Sequence, residues 1–388
     1  MNDPEIEALK ARVRALAPRI AERAEQAERE RKPVDEVIAA LEATGVFRSY
    51  VPKRFGGYEI DPDTFIDLGI AVSESCPSTG WVTTFYMEHN WMLSQFPRET
   101  QEEIFGRQPY ILAPATISPS GRARPCDGGY RVTGRWAWGT GVMHADWVFV
   151  SGVVDSDPPE PRLFLLPRDQ VKVEDTWYCA GMEGTGSNDV VAEDVFVPAA
   201  RSEAILSMSI GRGRGAEWLG SPCYRHPMLP LLSIAAAIPA VGAARRAVAL
   251  FKERLTGRTL LGTQGKQADR PAAQMRLGHA AVRAQAAESL IREVGRSLRA
   301  WGETQEMCPV EERARYRLAI AQAVDLCRTA VREVMEASGA SAHMRTHPLQ
   351  RIHRDIHTIS CHAVFDLDSS AENYGRLLLG MTPSSVLN

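Results

Sequence analysis

An α+β fold, mainly helical and ordered as helices, a small β unit and helices again, is predicted by three features of this sequence. Apolar residues recur at helical spacing among interleaved charges from Asn2 to about Phe105. From about Tyr110 to Pro198 the chain breaks into short β-rich runs separated by Gly, Pro, Asp and Asn. After roughly Met228, long alanine-rich amphipathic stretches return, of the kind that pack closely in a bundle. The expected boundaries are an N-terminal α-helical domain over 1–109, a central small β-barrel or sheet domain over 110–200 and a C-terminal four-helix bundle over 201–388. At 388 residues the chain exceeds one ordinary core, so sub-domains sharing a core are expected.

The elements follow in order. "IEALKARVRALAPRIAERAEQAERERKP" reads as one charged helix, and "PVDEVIAALEATGVF" as a second, with Asp35 near its start and Gly45 as its stop. "VPKRFGGYEID" is a turn-rich connector, and "DPDTFIDLGIAVSESC" a third helix. "STGWVTTFYMEHNWMLSQFP" is a fourth, apolar on most sides and therefore expected to be buried. "YRVTGRWAWGTG", "DWVFVSGVV", "RLFLLP", "VKVEDTW" and "DVVAEDVFVP" supply the strands. The last part holds three long helices, with "LTGRTLLGTQGKQADRP" as the loop between two of them.

Composition excludes several classes. The formal net charge of −3 comes with no long basic run, which argues against nucleic acid as a partner. We expect no membrane span, reading no apolar stretch near the roughly 20 residues one needs. The charged, amphipathic N-terminus is not a secretion signal. Seven cysteines, at 76, 126, 179, 223, 308, 327 and 361, form no CxxC pair. That pattern argues against a disulfide framework or a zinc site and for a reducing cytoplasm.

The run "GRWAWGTGVMHADWVFVSG", Gly134 to Gly152, concentrates three tryptophans, a threonine and a histidine between glycines. Tryptophans in strands commonly fill a core. The same run also suits a flat wall for a planar cofactor, with Thr140 as a polar finger. Two histidines merit weighing against the plain reading of a satisfied core or surface group: His89 in "FYMEHNWM" and His362 in "SCHAVF". Histidine titrates near neutrality and suits proton transfer. His353 and His357 stand at i and i+4, but no third zinc ligand presents itself, so no metal is expected.

Three stretches give the order of parts a meaning. "GRWAWGTGVMHADWVFV" resembles the flavin-contacting strand of the acyl-CoA dehydrogenase fold, with Trp138 and Thr140 in the contacting places. "YCAGMEGTGSNDVVAEDVFVP" is similar to that fold's later β segment, and "GASAHMRTHPLQRIHRDIH" to its Gly-rich turn and Arg-Asp helix opening. The dehydrogenase branch keeps a glutamate base just after that opening or on the first bundle helix. Here Cys361, His362 and Ala363 stand at the first place, and "LPLLSIAAAIPAVGAARRAV" has no acid at the second. The "GTGSND" loop, the "HADW" turn and the late histidine resemble instead the two-component flavin-dependent monooxygenases of group D, which include phenol and aromatic-polyketide hydroxylases.

That resemblance implies an oxygenase component that takes reduced FMN or FAD (FMNH2 or FADH2) and O2, forms a C4a-hydroperoxyflavin and hydroxylates an aromatic or phenolic small molecule. It implies Trp138, Gly139, Thr140 and Thr116 at the flavin, Arg258 and Arg354 as phosphate candidates, His362 as base and His89 as hydrogen-bond partner to substrate or peroxide. A homotetramer is implied by the fold alone. No GxGxxG follows a first strand, so a separate NAD(P)H-flavin reductase is expected. Trp81, Phe85, Tyr86 and Trp91 on the fourth helix favour a flat substrate. Alternatives are oxygenation of nitrogen or sulfur, an acyl-CoA dehydrogenase with a displaced base, and a non-enzymatic relic of the fold.

Overall fold

The computed structural model describes residues 4–259, 265–304 and 306–384. Six helices come first: α1 (Pro4–Ala15), α2 (Ala17–Glu30), α3 (Asp35–Thr44), α4 (Pro62–Ser73), α5 (Pro77–Leu93) and α6 (Arg98–Phe105). The single N-terminal helix expected from sequence is two, broken at Leu16, because Pro18 enters the first turn of α2 and lacks the N–H an uninterrupted helix needs. Asp61 caps α4 by accepting from the Thr64 backbone N–H at 2.9 Å. Every residue of α5 is buried, as its all-round apolarity predicts.

Seven strands follow: β1 (Ala115–Cys126), β2 (Gly129–Gly139), β3 (Trp147–Val154), β4 (Glu160–Pro167), β5 (Lys172–Glu174), β6 (Asn188–Pro198) and β7 (Ser202–Ala204). They form one sheet in the order β5-β6-β2-β1-β3-β4-β7, antiparallel except for the parallel β1–β3 pair. Of the two architectures expected, barrel or sheet, the chain adopts the sheet. β1 was not expected, since "ATISPSGRARPC" carries Pro, Gly and Ser in place of alternating apolar residues. The Gly134–Gly152 run divides into two strands, as read. β2 ends at Gly139 and a turn separates it from Trp147.

The C-terminal part comprises α7 (Ile205–Ser209), α8 (Arg214–Leu219), α9 (Met228–Gly257), α10 (Pro271–Glu303), α11 (Val310–Ser338), α12 (Pro348–Ser360) and α13 (Leu367–Leu378). The loop read at "LTGRTLLGTQGKQADRP" falls partly on 260–264, outside the described residues. The expectation that no apolar stretch reaches membrane-spanning length fails at α9, which is long and apolar enough. Its apolar window is 89% buried within the protein, so helices and not lipid surround it. Small residues make this possible. A Cβ at Gly80 of α5 or Gly242 of α9 would run into Ser73 of α4, so the three helices meet where side chains are nearly absent.

The buried face of α12 ties the helical part to the loop before β6. Asp355 Oδ1 accepts from the Met182 N–H at 2.6 Å, and Oδ2 has no partner. Burial pushes this carboxyl up to about 6. A folded pKa above the unfolded value of about 3.9 means the cost of ionising Asp355 is absent below pH 4 and complete above pH 6, worth about 3 kcal/mol. Asp355→Asn keeps the acceptor and removes the charge. Its melting temperature should exceed wild type by several degrees at pH 8, with the gap closing by pH 4. A gap unchanged across that range in calorimetry would refute the account.

Candidate active site

Residues 81, 85 and 89 lie four apart on α5 and so share one face. Their rings form a ladder: Trp81 to Phe85 at 4.9 Å between centroids and Phe85 to His89 at 5.3 Å. Phe149 of β3 continues it beyond His89, at 6.2 Å. At the other end His362 meets Trp81 edge-on at 5.6 Å. The two histidines singled out from sequence thus stand at the two ends of one aromatic wall, though 273 residues apart in sequence (362 − 89).

Their surroundings differ. His362 is partly buried in the turn before α13, and its Nδ1 accepts from the Val364 N–H at 3.3 Å. The neutral ring therefore carries its proton on Nε2. Burial lowers its pKa to about 4, leaving it uncharged at neutral pH. His89 is sealed inside. Its Nδ1 donates to the Ala113 carbonyl at 2.6 Å, so Nε2 is a bare lone pair, 3.6 Å from Glu88 Oε2. Burial also takes His89 down to about 4, and it holds the Glu88 carboxyl well above the usual range, with neither oxygen hydrogen-bonded. The sequence reading overlooked Glu88, because a lone acid in an apolar helix reads as a surface group.

The turn after β2 supplies the polar counterpart to this wall. Trp81 Nε1 donates to Thr140 Oγ1 at 3.2 Å. Thr140 Oγ1 lies 3.1 Å from Ser187 Oγ, and Ser187 Oγ lies 2.8 Å from Thr185 Oγ1. Thr185 then donates to the Met182 carbonyl at 2.9 Å. A hydroxyl chain thus runs from α5, through the Thr140 turn, into the loop held by Asp355. The "GTGSND" loop, whose glycines suit either a phosphate cradle or a simple turn, lies at the far end of this hydroxyl chain. It packs against α2, and its Ser187 holds Thr140. The turn is fixed from below as well, since the Tyr86 hydroxyl donates to the Gly141 carbonyl and the Gly141 N–H to Thr185 O at 3.1 Å.

Trp138 stands outside this network with its indole 65% exposed and its backbone at φ +68°. A bulky residue in that region is unusual and is held only where its surroundings dictate it. Trp136 turns the other way, buried and donating to the Ser151 carbonyl at 2.7 Å, as a core residue. Thr116 on β1 is buried and donates to Phe149 O at 3.3 Å. Gly139 ends β2 opposite Asn188.

The two arginines fare differently. Arg354 is spent within the chain, on Glu28, Glu183, Gln350 and the Ala180 carbonyl. Arg258 follows α9 and donates to the Ser338 carbonyl at 3.2 Å, beside Gly339. Its guanidinium forms no bond with Trp138 or Thr140. His353 and His357 bring Nε2 to Nε2 at 3.3 Å, and among the described residues no third ligand joins them.

The family model "Acyl-CoA dehydrogenase, N-terminal domain" matches residues 3–105, and "Acyl-CoA dehydrogenase, C-terminal domain" matches 234–367. A "Pigment production hydroxylase" of Rhodococcus sp. is 39% identical over 97% of both chains. The "Flavin-dependent monooxygenase, oxygenase subunit HsaA" of Mycobacterium tuberculosis is 34% identical over 96% of this chain and 95% of its own. The crystal structure of HsaA from M. tuberculosis superposes with a TM-score of 0.93 at 32% identity, covering 99% of this chain and all of that one. XiaF from Streptomyces sp., in complex with FADH2 and glycerol, superposes at 0.90 with 31% identity, covering 98% of this chain and 97% of that one.

Proposed function

We propose that this chain, which belongs to the oxygenase subunits of flavin-dependent monooxygenases built on the acyl-CoA dehydrogenase fold, hydroxylates an aromatic, phenolic molecule against the Trp81–Phe85 wall. The observation that carries the reading is the meeting of that wall with Thr140 and His362 at one place. A planar cofactor suits the site: Trp138 offers an exposed indole on a constrained backbone, and Thr140 offers an oxygen one residue beyond Gly139. Bound reduced flavin, whether FMNH2 or FADH2, supplies the two electrons that let O2 give one oxygen atom to substrate and the other to water.

The chain's own residues do the rest. Trp138 and Gly139 would flank a bound flavin ring, Thr140 would hydrogen-bond its N5 edge, and Thr116 would support the strand beneath. Arg258 neutralises phosphate in this reading, reaching across the interface of a homotetramer. His362 faces the substrate hydroxyl, and its Nε2–H steadies the negative charge that develops on the oxygen. For His362 to take the proton itself as base, the ring must release the Val364 N–H. His89 closes the inner end of the wall. Electrons come from a separate NAD(P)H-flavin reductase, the arrangement implied by relatives named as oxygenase components. The free cysteines fit a reducing cytoplasm.

The dehydrogenase alternative needs an accessible carboxylate base. The one acid on this wall, Glu88, is sealed, and burial pushes its carboxyl well above the usual carboxylate range. The test mixes anaerobic protein and FADH2 or FMNH2 with oxygenated buffer and follows flavin absorbance. A slow, multi-phase reoxidation, followed by a hydroxylated product with resorcinol, p-hydroxyphenylacetate or indole, is expected. Reoxidation at the free-flavin rate with both cofactors would remove the reading. Thr140→Val should raise the share of reduced flavin oxidised without product by about tenfold, the weight of one hydrogen bond at the flavin edge.

A further inference from the structure

The hydroxyl chain has a direction, and the direction follows from proton count alone. Trp81 Nε1 can only donate, so Thr140 accepts from it. The Met182 carbonyl can only accept, so Thr185 spends its one proton there. Ser187, 2.8 Å from Thr185, must therefore donate to it, and Thr140, 3.1 Å from Ser187, must donate to Ser187. The sequence Trp81 → Thr140 → Ser187 → Thr185 → Met182 O contains four hydrogen bonds. Thr185 and Ser187 are buried, so water does not substitute for a lost partner. Met182 O also accepts from Trp177 Nε1 at 3.0 Å, so the chain can reverse, but only by giving up the Thr185 bond and keeping three.

In the forward direction the Thr140 proton is committed, and what Thr140 still offers is a lone pair. We propose that Ser187 and Thr185 are positioning residues that make Thr140 an acceptor, so that the site discriminates reduced from oxidised flavin. This rests on the flavin reading above, with Thr140 at N5. Reduced flavin carries a hydrogen on N5 and donates, whereas oxidised flavin has a lone pair there and needs a donor. With reduced flavin the forward chain stays whole and gains a fifth bond. With oxidised flavin Thr140 must turn its proton to N5, the chain reverses, and the total is four. One buried hydrogen bond is the difference, about tenfold in affinity and about 30 mV in the two-electron potential of the bound flavin.

Removing either positioning hydroxyl should erase that difference by separate routes. In Ser187→Ala the Thr140 proton has no partner and is free for oxidised flavin. In Thr185→Val the Ser187 proton is freed to turn to Thr140, which releases the Thr140 proton in turn. For both variants the bond count is the same with either redox state. The experiment measures Kd for FAD and, anaerobically, for FADH2, together with the midpoint potential of the bound flavin. Wild type should favour FADH2, and both variants should shrink the FAD-to-FADH2 Kd ratio by about tenfold and lower the potential by about 30 mV.

Thr185 lies two links beyond Thr140, so an equal shift there separates proton direction from a local steric change. Thr140→Ser, which keeps the hydroxyl, should retain the wild-type ratio. Variants that fold and bind both flavins with an unchanged ratio overturn the proposal while leaving the function intact. Failure of wild type to bind either flavin overturns the flavin reading and this proposal together.

Discussion

Gly141→Ala is expected to abolish stable flavin binding while leaving a folded protein. Gly141 sits at φ +73°, where a side chain costs about 1–2 kcal/mol in backbone conformation. A Cβ there would also lie 2.6 Å from Tyr86 Oη, 2.8 Å from its ring carbon Cζ and 2.9 Å from Val82 Cγ1. Both neighbours belong to the fully buried α5 and cannot retreat. The turn must therefore lift, breaking the Tyr86 bond to Gly141 O and carrying Thr140 away from Trp81 and Ser187. We expect Kd for FADH2 to rise by a hundredfold or more in anaerobic titration, with far-UV circular dichroism unchanged. Wild-type affinity in the variant would show that the turn does not set the flavin edge.

His362→Ala is expected to cut the rate of hydroxylation by about 10²–10³, the range one hydrogen-bond donor to a developing oxyanion contributes, with Kd for reduced flavin little changed. The pH profile separates a chemical role from a structural one. Burial holds the ring neutral down to about pH 4, so between pH 5 and 9 the wild-type rate should show no inflection from this imidazole. An inflection near pH 6.5 that disappears in the variant would refute the neutral ring. The sign for stability runs the same way. A histidine whose folded pKa lies below its unfolded value of about 6.5 withdraws stability as pH falls through that value, because the unfolded chain then binds the proton better. His89, lowered likewise to about 4, adds to this acid sensitivity.

Much of the fold was legible because it rests on periodicity. The all-round apolarity of 77–93 announced a buried helix, and the Gly, Pro and Asp breaks announced strands. What stayed hidden depends on contacts between distant residues. β1 is a strand because β2 and β3 pair with it, a fact its own Pro- and Ser-containing sequence does not carry. Trp138 and Thr140 were legible through the resemblance, whereas the partners of Thr140 were not, since Ser187 and Thr185 sit more than 40 residues away in a glycine-rich loop whose periodicity says nothing about its contacts. Glu88 was invisible for a similar reason: only burial turns an ordinary acid into a neutral one. Arg354 read as a phosphate candidate because sequence does not show that Glu28 and Glu183 already hold it.

The near-contact of Ser73, Gly80 and Gly242 has a bearing on how substrate range changes within such enzymes. With no side-chain volume separating α4, α5 and α9, the aromatic wall has no slack, and a larger residue there displaces three helices at once. At the outer end of the wall the one group that meets it is His362, in a short, partly exposed turn before α13. A change of substrate range is therefore expected to fall at the His362 turn, while α5 serves as a fixed anvil.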